Sequence, residues 1–227
     1  MRGCVLAGVW GAGKTTVYQR ILAHLIDADC QSVFALPQAA TITTHTYTAG
    51  SAVDHTAEIL SWLHTLTGFL EDTDRRFHAS TLPGHRCAPQ WTPTAVLECL
   101  AFDLPVYRLP ASRDELLDHE RSLADLGLHL IVLRVPETRI QTQCVESTRQ
   151  HRGVRWARYL EGFGGTDRLR AEYVCHAQRR LMAWVSTSPL PCTVIDVTGD
   201  DWDSYAARAT DIILAGSSTT HARSHPS

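Results

Sequence analysis

The chain has no asparagine and one lysine, Lys14; every other member of its 21 Lys and Arg residues is arginine. A GTP-dependent switch protein reads guanine with an Asn-Lys-x-Asp element, and these residues cannot spell it. The seven cysteines include no Cys-x-x-Cys pair, so neither a zinc ribbon nor a disulfide framework is indicated. The twelve histidines fall at no ligand spacing. No apolar run approaches the ~18 to 20 residues needed to span a bilayer. The stretch Cys4 to Trp10 is too short for a secretory signal, which gives the expectation of a cytoplasmic protein with no membrane partner. A net charge of −3 argues against nucleic acid as the main partner.

The composition itself is ordinary. With 227 residues, 44% hydrophobic and 20% charged, the chain can bury a core as one soluble domain. The lone lysine falls inside Gly8-Val9-Trp10-Gly11-Ala12-Gly13-Lys14-Thr15, the spacing of a phosphate-binding loop. A composition that otherwise discards lysine keeps it at the one place this motif requires. Context supports the match: Gly3 to Ala7 reads as a buried strand and Thr15 to Ile26 as a helix. Gly8, Gly11 and Gly13 allow the backbone to wrap closely, so that loop N–H groups face a polyphosphate. Lys14 is then placed on the β- and γ-phosphates, and Thr15 is a Mg²⁺ ligand. Residues Gly8 to Thr16, with Val9, Trp10 and Ala12 among them, are the expected nucleotide-binding set, and ATP with Mg²⁺ the expected cofactors.

Further strands are expected at Ser32 to Leu36, Ala95 to Leu100, Leu128 to Val135 and Thr193 to Val197. Helices are expected from Ala52 to about Leu70, from a capping box at Ser112-Arg113-Asp114-Glu115 to about Leu126, and from Pro136. Thr166 is read as the cap of a helix to about Trp184, and Trp202 to Leu214 as the last helix. The Thr-rich stretch Thr41 to Thr48 reads as a loop, and residues 216–227 as a disordered tail. The alternation predicts an α/β fold: three layers, a five-stranded parallel sheet with helices on both faces, as one domain over residues 1–215.

Within that fold a few side chains carry chemical meaning. Glu98 is the one carboxylate in an otherwise apolar strand. It reads either as a general base or metal-supporting acid, or as a strand-end acid paired with an arginine. Asp103 is the alternative acid. Arg149, Arg152, Arg155 and Arg158 recur every third residue, a spacing that winds around a helix instead of lining one face. A mobile lid over residues 149–165, hinged at Gly162, Gly164 and Gly165, brings one or two of them, Arg152 and Arg155 foremost, onto a transferring phosphoryl group. Motor and transporter ATPases are disfavoured. The single Asp-Glu, Asp114-Glu115, opens a capped helix, and no Leu-Ser-Gly-Gly signature occurs.

In order, these elements resemble the thymidylate kinase-like branch of nucleoside and nucleotide kinases over roughly residues 3–215. Gly8 to Thr16 is similar to that family's first motif, and Asp74-Arg75-Arg76-Phe77-His78 to its acceptor element. Glu98 stands in its strand-end acidic place, and Leu130 to Glu137 is similar to its fourth strand and following Pro-Glu. The resemblance implies phosphoryl transfer from ATP to a small acceptor, with Arg75 gripping the acceptor. Three departures argue against thymidylate: Ala7 and Trp10 stand where the family's loop carries acids, and Cys99 replaces its arginine. A small-molecule acceptor is the expected partner, and a homodimer is open. The alternatives are a kinase of antibiotics or secondary metabolites, and an ATP-binding regulator without acceptor turnover.

Overall fold

The computed structural model describes residues 1–38, 40 and 51–216, at residue 155 the backbone alone. The Thr-rich stretch 41–48 and the tail from 217 lie outside the described residues.

Five strands form one parallel sheet: β1 (Arg2–Gly8), β2 (Val33–Leu36), β3 (Thr94–Glu98), β4 (Leu128–Arg134) and β5 (Cys192–Asp196), in the order β2-β3-β1-β4-β5. β1 is central, in register with β3 (Leu6 opposite Glu98) and with β4 (Ala7 opposite Val132). Val5, Leu6, Leu97, Leu130 and Val132 are completely buried, as near-continuous apolar strands in a doubly covered sheet should be.

The helices are α1 (Lys14–Asp27), α2 (Ala52–Ala79), α3 (Arg113–Asp125), α4 (Ser147–His151), α5 (Val154–Glu161), α6 (Asp167–Val185) and α7 (Trp202–Ala215). The step from β1 to β2 crosses the sheet one way and every later step goes the other way. Right-handed crossovers therefore put α1 on one face and α2, α3 and α6 on the other. Packing agrees: α7 returns to lie against α1 and β1, while α3 packs on α2 and β4. The expected three-layer α/β architecture is the observed one. No helix among the described residues is long and apolar enough to cross a membrane.

Two elements differ from expectation. α2 continues to Ala79, well past Leu70, because its polar end is held by Asp72 to Arg76 (2.5 Å) and by Arg75, with Phe77 buried beneath. After Pro136 there is a short 3₁₀ turn (Glu137–Arg139), and a wide π-type turn (Gln141–Glu146) leads into α4. That turn presses on the glycine loop, as its neighbourhood shows below.

Candidate active site

A change of crossover direction in a parallel sheet opens a crevice at the carboxyl ends of the two diverging strands. Here those strands are β1 and β3. One delivers the glycine loop and the other delivers Glu98, so residues distant in sequence meet at one place.

Gly11 (φ 74°) and Gly13 (φ 85°) hold left-handed backbone that side chains disfavour. Both positions are also crowded. A Cβ on Gly11 would lie 2.6 Å from Cys144 Cα in the wide turn, and one on Gly13 would lie 2.2 Å from Trp202 Cζ3. The loop is wedged between the start of α7 and the segment after β4. Lys14, 7% exposed, folds back so that Nζ donates to the carbonyls of Gly8 (2.9 Å) and Val9 (3.1 Å).

Glu98 is 1% exposed and fully engaged. Thr15 Oγ1 donates to its Oε1 (2.9 Å), and the Gln38 backbone N–H donates to its Oε2 (2.9 Å). The Gln38 amide also donates to Asp103 Oδ2 (2.9 Å), so one residue bridges both acids. Glu98 and Asp103 are thus parts of one buried network, and neither is an isolated strand-end acid paired with arginine. Burial pushes the Asp103 carboxyl up to about 6, against the opposing pull of Lys14 and of hydrogen bonds from Cys99 and Gln38. Between the acids the chain makes a forced bend: Cys99 (φ 70°) and Leu100 (φ 47°) are both left-handed without being glycine, a strain of the kind found at functional sites. Burial also raises the Cys99 thiol well above its usual value.

Trp10 is buried inside an aromatic cluster. Its Nε1 donates to the Tyr107 hydroxyl (3.2 Å), and its ring centroid lies 4.8 Å from Phe163, 5.4 Å from Tyr107 and 5.9 Å from Tyr173. Tyr159 packs on the same cluster, with its ring 6.4 Å from Trp10. The indole therefore ties the phosphate loop to the segment read as a lid.

A cleft of about 590 Å³ is bounded by Gly11, Gly13, Thr16, Arg139, Gln143, His151, Arg152, Asp200 and Trp202. Of these, Arg152 and the loop residues were expected from sequence; Arg139, Gln143, His151, Asp200 and Trp202 were not. Asp200 and Trp202 had one available signal, since both follow a parallel strand at the carboxyl edge of the sheet.

The comparisons add little to this geometry. No family model and no curated protein matches the chain. Among solved structures it is similar to a deoxyadenosine kinase from M. mycoides with bound dATP, at 12% identity and a TM-score of 0.42, over 95% of this chain and 98% of that one. A likeness that distant does not bear on chemistry. The site must be read from its own residues.

The expected lid arginines have separate fates. Arg152 reaches the cleft, its guanidinium 4.9 Å from the Trp156 ring centre. Arg149 donates to Asp167 (2.9 Å) through Nη1, an ion pair that also holds Arg170. Arg158 is exposed on α5, and the Arg155 side chain lies outside the described residues. The regular spacing fails because the helix breaks at Arg152 and Gly153, leaving Arg149 on α4, Arg155 and Arg158 on α5, and Arg152 in the break between them.

Arg75 is in the wrong place for its expected role. Its neighbour Asp74 pairs with the amino group of Met1, at the amino end of β1, whereas the loop leaves the carboxyl end. A seven-residue strand separates the two by roughly 20 Å. Arg75 is exposed and paired with Asp72, and the structure does not bring it together with the loop and Glu98.

Proposed function

We propose that the chain is a phosphotransferase that moves the γ-phosphoryl group of ATP to a hydroxyl or similar group of a small acceptor. The observation that supports this most is the Lys14 loop meeting Thr15 and buried Glu98 at the sheet's switch point, beside an open cleft. Phosphoryl transfer asks a protein mainly for positioning and charge stabilisation, and these parts supply both. The loop N–H groups and the start of α1 receive the phosphates. Lys14 exchanges the Gly8 and Val9 carbonyls for phosphate oxygens. The guanidiniums of Arg139 and Arg152, which make no ion pair among the described residues, line the same cleft and meet negative charge there.

Magnesium fits the donor set, because Thr15 and Glu98 offer hard oxygen atoms in direct contact. When bound with the triphosphate, it neutralises charge between the β- and γ-phosphates. With both Glu98 oxygens already engaged, that side chain is better suited to holding Thr15 and the metal's surroundings than to taking a proton. Of the two chemical roles open to Glu98, general base or metal-supporting acid, these contacts favour the second.

The test is ADP release from Mg·ATP across nucleosides, nucleoside monophosphates and small hydroxyl metabolites, with Lys14→Ala as control. One acceptor class should stimulate turnover, and Lys14→Ala should lower it about 10²-fold or more, the scale of losing one preorganised charge stabiliser. ATP binding with no acceptor-stimulated turnover in the whole panel would favour a nucleotide sensor instead.

A further inference from the structure

Most described arginines of this chain are neutralised by a neighbouring acid. On α6 alone, Arg168 pairs with Glu172, Arg170 with Asp167 and Arg179 with Glu137. Arg180, on the same helix, makes no ion pair among the described residues. Instead its Nε and Nη2 donate to the carbonyls of Pro105 (3.0 Å) and Val106 (3.3 Å), in the segment that follows Glu98 and Asp103. Burial, and then the positive charge of Arg108, depress Arg180 from its usual value.

Arg108 is unusual for its backbone. It occupies the left-handed position (φ 56°, ψ 37°) that ends the turn Leu104–Tyr107, a place where glycine is the customary residue and a side chain costs about 1 kcal/mol. It too makes no ion pair among the described residues. Its guanidinium lies 5.4 Å from the ring centre of Tyr173, which stacks on Phe163 and adjoins Trp10 of the phosphate loop. Two like charges have been left side by side without a counter-ion, in a chain with acids to spare. The segment that carries Arg108 and accepts from Arg180 begins at the acids of the site, and Tyr173, Phe163 and buried Trp10 pack in series from Arg108 to the phosphate loop.

We propose that Arg108 and Arg180 form an anion subsite that holds a carboxylate or phosphate carried by the acceptor, at the end remote from the group that receives the phosphoryl. The inference rests on the phosphotransferase reading. It narrows the acceptor to acidic small molecules. Guanidinium forks suit either anion, and an incoming acid relieves the repulsion between the two arginines.

Residue-resolved modification by phenylglyoxal, with and without millimolar inorganic phosphate, tests the subsite without any turnover. A non-hydrolysable ATP analogue is present in both arms, so that the phosphate loop is filled throughout. Phosphate should slow modification of Arg108 and Arg180 severalfold and leave Arg121, paired with Asp118 on α3, unchanged. Equal rates with and without phosphate at both residues overturn the proposal. The source of the anion is then read from Arg108→Gln, an exposed change that leaves the core intact. KM for acidic acceptors should rise about tenfold at unchanged kcat, the scale of one charge-assisted hydrogen bond, with neutral acceptors unaffected. Protection without that KM effect overturns the assignment to the acceptor and leaves a regulatory anion. Protection in a protein that no acceptor stimulates overturns phosphotransfer while the subsite stands.

Discussion

Asp103→Asn should make the protein more stable at neutral and alkaline pH, and the gain should vanish in acid. In the unfolded chain an aspartate titrates near 3.9, whereas burial holds Asp103 at about 6. Above pH 7 both states are ionised, and folding carries the full cost of a charge in a poorly solvated place, about 3 kcal/mol for a difference of this size. As pH falls through 6 the folded protein takes up a proton that the unfolded chain does not yet hold, so the cost fades. About half remains at pH 5, and almost none below the unfolded value. Asparagine keeps the acceptor for the Gln38 amide and removes the charge. Its other effects, including the altered contact with Cys99, do not depend on pH. Urea unfolding of both proteins at pH 5, 6, 7 and 8 gives the difference directly. It should grow by about 1.5 kcal/mol from pH 5 to 8. A difference that stays constant across that range would refute the account of Asp103. Lys14 favours the ionised form of Asp103, so in a Lys14→Ala background the transition should move to higher pH.

Gly13→Ala combines a left-handed backbone with a collision against Trp202, and should lower stability by about 2 kcal/mol or more while weakening nucleotide binding; normal thermal unfolding with normal binding would show that the loop has another shape. Glu98→Gln keeps the volume and removes the charge held against Thr15, so kcat should fall about 10²-fold with ATP affinity little changed. Parallel losses in both would mean that Glu98 serves the fold. Trypsin should cut within residues 149–165 of the free protein, where Val154 and Trp156 are exposed, and should be blocked when ATP analogue and acceptor are present together. Equal cutting in all states would remove the lid from the mechanism.

Much of the fold was legible because burial on both faces leaves a strong mark. β1 and β4 are continuous apolar runs, and Ser112 and Thr166 announce their helices through caps that are observed. The end of α2 was not legible, since charge pairs three and four residues apart sustain it after its apolar pattern stops. The loop, Glu98 and Asp103 could be named from sequence because each is an exception within an apolar surrounding. Their joining through Gln38 could not, because it depends on which strands the sheet places side by side. Arg75 misled for the same reason: a motif fixes the order of residues along the chain but not the edge of the sheet at which they arrive.

The contact between Gly13 and Trp202 joins residues from the first and last helices, and this bears on how the protein is made. During synthesis the phosphate loop is made well before one of its walls, since Trp202 lies far along the chain from Gly13. Until α7 docks against α1, the loop has its glycines and its lysine without the indole that confines them. Chains released early, before residue 202, should therefore hold a sheet and a loop but lack a competent nucleotide cleft. Capture of nucleotide by nascent chains stalled at successive lengths would date the moment when the site closes, which should follow the emergence of Trp202 and so come after the phosphate loop, Glu98 and Arg152 have been made.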